Sequence, residues 1–142
     1  MPKRNPEMDE RFTPPEVFGP LDRLFGFTLD PCTTADNPLA VNVFWTKEDD
    51  GLSRDWSRQH VFVNPPYSQM LRWAKKAIYA TMDGAFVAFL IPNDCSTEAF
   101  RLLAANSWGR WEIPFRVKFR TPTVEKKDVA RSHVVFFLGG LK

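Results

Sequence analysis

Residues 85–91, Ala-Phe-Val-Ala-Phe-Leu-Ile, are apolar without interruption, and no other feature limits the possible folds of this chain as strongly. A strand with one wet face alternates apolar and polar side chains, so a run of strand length without alternation must be covered on both faces, as in the interior of a parallel sheet. Covering both faces takes helices, and the rest of the chain offers them between further strand candidates. Residues 27–30, 40–45 and 60–63 read as strands, with two late strands at 111–115 and 134–138. Val17, Leu21, Leu24 and Phe25 recur at helical spacing after Thr13, a candidate N-cap ahead of Pro14, Pro15 and Glu16. Pro20 is expected to kink or shorten that helix. Ser68 is expected to cap a second helix with Leu71, Ala74, Ala77 and Ile78 on one face, and residues 96–105 form a third. Strands alternating with helices imply an α/β fold: three αβα layers around a mostly parallel sheet.

At 142 residues the chain is sized for one domain. We place it at 12–142, after a charged arm at 1–11 that lacks the apolar core of a signal peptide. The run at 85–91 is too short to cross a bilayer. Cys32 and Cys95 are the only cysteines and stand outside metal-ligand spacing, so neither disulfides, a metal centre nor a membrane partner is expected, and a reducing cytoplasm is the default setting. His60 and His133 are isolated in sequence and read as structural.

Strand 60–63 runs directly into Asn64-Pro65-Pro66-Tyr67. Two prolines fix their own φ and hold Asn64 extended, at the carboxyl end of a strand where open α/β sheets bind ligands. An exocyclic amine has two hydrogens to give, and the Asn64 side-chain oxygen and the Pro65 carbonyl are two acceptors for them. Charge developing on that nitrogen would then meet dipoles already oriented. The Tyr67 ring can stack on a flat base and hold it in line with a donor. Charge is also uneven along the chain: residues 1–60 carry 7 basic and 11 acidic side chains, residues 108–142 carry 8 and 3. Within the basic end, the segment 116–131 reads as a loop without a hydrophobic period, and its Arg116, Lys118, Arg120, Lys126, Lys127 and Arg131 suit a polyanion.

Taken in order, these segments resemble the S-adenosylmethionine-dependent DNA adenine-N6 methyltransferases, most closely the small phage-type family. The resemblance runs from Phe12 to Leu138. It rests on Thr13-Pro14, Asp30-Pro31, Asp50-Gly51-Leu52 followed by Trp56, Asn64-Pro65-Pro66-Tyr67-Ser68 with Trp73, the segment from Arg116 to Phe119, and Ser132. It implies a Rossmann-like class I methyltransferase fold and the cofactor S-adenosylmethionine. By resemblance, Thr13-Pro14 contacts the methionine end of the cofactor, Asp30 its amino group, and Asn64 to Tyr67 the target adenine, flipped out of the DNA duplex. Glu48, Asp49 and Asp50 are all candidates for the ribose hydroxyls. One departure stands out: residues 30–37, after the first strand, contain no glycine, although amino-methyltransferases commonly carry a glycine-rich turn there. Cytosine N4, RNA or a protein glutamine as substrate, and an idle nucleic-acid-binding relative, remain alternatives.

Overall fold

The computed structural model describes residues 11–119, 127–128 and 132–140. Three helices are present among them: α1 (Pro15–Phe25), α2 (Met70–Met82) and α3 (Glu98–Asn106). The strands are β1 (Leu29–Asp30), β2 (Val43–Phe44), β3 (His60–Val63), β4 (Phe86–Pro92), β5 (Gly109–Glu112), β6 (Lys118–Phe119), β7 (Lys127–Asp128) and β8 (His133–Leu138). Six of them form one mixed sheet in the order β2-β1-β3-β4-β8-β5. Parallel pairing joins β2, β1, β3 and β4, and β8 alone runs the other way, between β4 and β5.

The apolar run is the interior strand that its composition demands. All of β4 is buried; Val87, Phe89 and Ile91 face a core shared with α2 and α3, while Phe86, Ala88 and Leu90 face a second core shared with α1. Burying one large apolar side chain is worth about 1.5–3 kcal/mol, so this strand anchors the sheet and the two-residue edge pairings of β1 and β2 follow it.

Local chemistry shortens or moves several expected elements. Strand 27–30 reduces to β1 because the Phe27 N–H is taken by the Asp22 carboxylate at 2.9 Å. Strand 40–45 reduces to β2 because Ala40 sits at φ 55° and the Val41 carbonyl accepts from the Asn37 side chain. Thr13 does not cap α1; Pro14 does, its carbonyl accepting from Val17 and Phe18 at 3.1 and 3.2 Å. Pro20 does not end α1, which continues to Phe25. The carbonyl that its missing N–H would have served belongs to Glu16, an exposed residue open to water. Ser68 is likewise no cap: a 3-10 turn, Tyr67–Gln69, precedes α2. Thr97 caps α3 by accepting from the Phe100 N–H, so that helix starts two residues later than expected. Strand 111–115 moves to β5, ahead of Pro114, which has no N–H to give a ladder.

The segment 116–131 is not a plain loop. Lys118 pairs with Asp128 and Phe119 with Lys127 in an antiparallel ribbon, and Val117 and Phe119 are fully buried against the α1 core while Arg116 and Lys118 are exposed. A period of two is therefore present in it. No helix among the described residues is long and apolar enough to cross a membrane.

Candidate active site

The carboxyl ends of β1 and β3 open onto a cavity of about 370 Å3, a size suited to a small organic ligand. Asp30, the last residue of β1, lines it at 4% exposure. Burial raises its pKa from 3.8 to about 7, against smaller opposing effects of hydrogen bonds from the Cys32 backbone and the Thr33 side chain. Among the described residues no cation pairs with it. The neighbouring Cys32 thiol is held well above its ordinary pKa by burial and by the Asp30 carboxylate. The Asn64 backbone N–H opposes that rise more weakly.

The glycine-free turn needs no glycine. Between Asp30 and Asn37 only Asn37 has a positive φ, 45°, a value that asparagine tolerates. The close backbone approach is supplied by the facing turn. A Cβ on Gly51 would stand 2.1 Å from the Pro31 carbonyl oxygen and 3.2 Å from Trp73 Cη2. Gly51→Ala is therefore expected to force the two turns apart, costing about 1–3 kcal/mol of stability and weakening ligand binding. Urea denaturation together with calorimetric titration checks both effects. Of the three candidate ribose acids, Asp50 alone lines the cavity. The Asp49 carboxylate accepts from the N–H and hydroxyl of Thr46 and pairs with Arg54 at 3.9 Å; the hydrogen bonds from Thr46 depress its pKa most, with a smaller pull from Arg54.

Asn64 is held by its amide nitrogen, which donates to the Arg11 carbonyl at 2.6 Å and to the Thr13 hydroxyl at 2.9 Å. Those two bonds use both amide hydrogens and leave Oδ1 uncommitted among the described residues. Thr13, absent from the helix cap, thus serves to orient Asn64. Tyr67 stands beyond the cavity lining. Its hydroxyl lies 2.8 Å from His133 Nε2, and the Arg11 guanidinium covers its ring at 4.5 Å.

Of the residues expected to bind the cofactor, Thr13, Asp30, Pro31, Asp50 and Asn64 meet around one cavity, whereas Pro14 does not line it and is spent on the helix cap. Of the expected reaction centre, Asn64 and Pro66 line the cavity, and Pro65 and Tyr67 stand outside it. In the basic set, Arg116 and Lys118 are exposed, Lys127 enters the ribbon through its backbone, and Arg120, Lys126 and Arg131 lie outside the described residues. His60 is structural as expected: its Nδ1 donates to the Phe25 carbonyl at 2.6 Å and ties α1 to β3. His133 is not remote, because β8 is antiparallel and pairs it with Pro92 at the ligand-bearing edge. Arg11, which lines the cavity, and His133, which meets Tyr67, carry no signal of their own in the sequence beyond their neighbours Thr13 and Ser132. Among the described residues no three His, Cys, Asp or Glu side chains group as a metal ligand set.

The chain is 31% identical over 130 residues to a DNA N-6-adenine-methyltransferase of Escherichia phage T1, a stretch covering 90% of this chain and 53% of that protein. It is 30% identical over 118 residues to the DNA N-6-adenine-methyltransferase of Haemophilus phage HP1, covering 81% of this chain and 66% of that one. The chain thus spans between about half and two thirds of the length of these relatives. A family model, DNA N-6-adenine-methyltransferase (Dam), matches residues 3–133. Matched by that model over nearly its whole length, the chain belongs to the DNA N-6-adenine-methyltransferase family.

Proposed function

We propose that the chain transfers a methyl group from S-adenosylmethionine to the N6 amino group of adenine in DNA. In this reading it is a single domain, 12–142, with the three-layer, Rossmann-like fold of class I methyltransferases. The observation that carries the proposal is the fixed orientation of Asn64. Its amide hydrogens are spent on Arg11 and Thr13, so its oxygen is left as an acceptor at the rim of a ligand-sized cavity. An adenine amino group has a lone pair delocalised into the ring, and two acceptors, Asn64 Oδ1 and the Pro65 carbonyl, draw its hydrogens so that the nitrogen turns tetrahedral as it reacts. Tyr67 supplies a stacking surface, on the ring face opposite the Arg11 guanidinium, to an adenine flipped from the duplex.

The residues present fit the cofactor. Asp30 is a buried carboxylate with no paired cation among the described residues and suits an ammonium group, through a charge-assisted hydrogen bond. Asp50 lines the same cavity and suits ribose hydroxyls, while Thr13 and Pro31 complete the wall. When bound, S-adenosylmethionine supplies an electrophilic methyl group on a sulfonium centre. Incubating the protein with isotope-labelled cofactor and DNA, then digesting to nucleosides, tests the reading directly. N6-methyldeoxyadenosine is the expected product; label in deoxycytidine, RNA or protein would redirect it to one of the other amino substrates.

In the same reading the DNA lies against the basic segment, with Arg116, Lys118, Arg120, Lys126, Lys127 and Arg131 facing phosphates. Each phosphate neutralised contributes about −0.9 to the slope of log affinity against log salt. Replacing Lys126 and Lys127 with alanine is expected to flatten that slope by up to about two units without changing cofactor affinity. Fluorescence anisotropy across a salt series reads the slopes, and parallel lines for the two proteins would remove both lysines from the interface.

A further inference from the structure

Two indoles are stacked beside the cavity. Trp56 and Trp73 have ring centroids 6.0 Å apart at an interplanar angle of 28°, and both are buried, at 1% and 5% exposure. Their ring nitrogens differ. Trp56 Nε1 donates to the Gly51 carbonyl at 2.9 Å, whereas Trp73 Nε1, equally shut off from solvent, has no acceptor among the described residues. A buried indole that serves only to pack normally finds a partner for its N–H, because an unmade bond costs the whole desolvation of that group. Trp73 also lines the cavity, and so does Thr34, whose buried hydroxyl oxygen has no partner among the described residues. Two residues that line one cavity and each carry an orphaned polar atom mark where a ligand's polar atoms belong.

We propose that the Trp73 indole N–H is a ligand-binding donor, giving its hydrogen bond to an acceptor atom of the nucleoside cofactor held in the cavity, with the Thr34 hydroxyl contributing to the same polar lining. The assignment deepens the reading of the chain as an S-adenosylmethionine-dependent enzyme and rests on it. A phenylalanine at position 73 would preserve the stack on Trp56 and leave no donor unmet. The N–H therefore burdens the free protein, and binding relieves it.

Trp73→Phe and the ligand-free stability read these two effects with opposite signs. Calorimetric titration with S-adenosylmethionine is expected to show affinity about tenfold weaker in Trp73→Phe, within a range of about 5- to 100-fold. The melting temperature of the ligand-free variant is expected to equal or exceed that of wild type, since an unsatisfied donor has been removed. Thr34→Val, similar in shape, forms a second arm with an expected loss of several-fold. Repeating the titration with adenosine locates the bond: a persistent loss puts the acceptor in the nucleoside, and a loss confined to S-adenosylmethionine puts it in the amino-acid tail, both in support. Unchanged affinity in a folded Trp73→Phe protein overturns the proposal, and so does a lowered ligand-free melting temperature, which would assign the N–H to the fold. A wild-type chain that binds neither ligand overturns the cofactor assignment itself, a failure visible before any variant is compared.

Discussion

Asn64→Ala is expected to lower the rate of methyl transfer by about a hundredfold or more, with a much smaller change in KM for DNA. The magnitude follows from what the acceptor does. Removing one preoriented dipole from a reacting centre typically costs about 100- to 1000-fold in turnover, and an interaction that strengthens as the amine turns tetrahedral is lost mainly from kcat. The structure adds a reason for the preorientation: the amide cannot flip without giving up its bonds to the Arg11 carbonyl and the Thr13 hydroxyl. Thr13→Val should then reproduce a weaker form of the same defect, since it removes one of the two bonds that set the orientation. Single-turnover rates with labelled cofactor separate chemistry from binding. An Asn64→Ala enzyme working at the wild-type rate would show that the amine is held elsewhere.

Asp30→Asn is expected to raise the stability of the ligand-free protein near pH 8 while abolishing tight cofactor binding. Asp30 has a folded-state pKa of about 7, raised from 3.8 chiefly by burial. Below pH 3.8 the carboxyl is protonated in both folded and unfolded chains and costs nothing. Between 3.8 and about 7 the unfolded chain loses the proton and the folded one retains it, so stability falls as pH rises; above 7 the loss is complete. At about 1.4 kcal/mol per pH unit, that displacement amounts to roughly 4 kcal/mol. Asparagine removes the titration, so the variant's stability should be flatter from pH 4 to 8, as read by urea denaturation at a series of pH values. An ammonium group beside Asp30 offsets the desolvation of the carboxylate, so wild-type affinity for the cofactor should rise with pH through 7 and this dependence should vanish in the variant. Identical stability profiles for the two proteins would mean that Asp30 is ionised freely in the fold.

Both of these proposed site residues stand out in the sequence itself, and so does the element that carries the sheet. The apolar run at 85–91 could only be an interior strand, and Asn64-Pro65-Pro66-Tyr67 could only be a stiff exit from one, because these properties reside in consecutive side chains and in proline's fixed φ. Element ends were less legible. Thr13, Ser68 and Pro20 each offered a helix signal, but a neighbouring carbonyl, a 3-10 turn or access to water decided the outcome.

Residue order along the chain determined that this is an α/β protein with a stiff Asn-Pro-Pro-Tyr exit at one strand end and an acid, Asp30, at the end of another. Only the tertiary structure decided which groups face one another. An antiparallel last strand carries His133 to within 2.8 Å of Tyr67 across 66 positions of sequence, and folding back of the segment before α1 sets Arg11 and Thr13 against Asn64 across more than 50. It also decided which polar atoms go unmet. The Gly51 carbonyl accepts from Trp56, whereas the Trp73 N–H has no acceptor among the described residues, a distinction with no counterpart in sequence, since burial and hydrogen-bond satisfaction are properties of spatial neighbours rather than of chain neighbours.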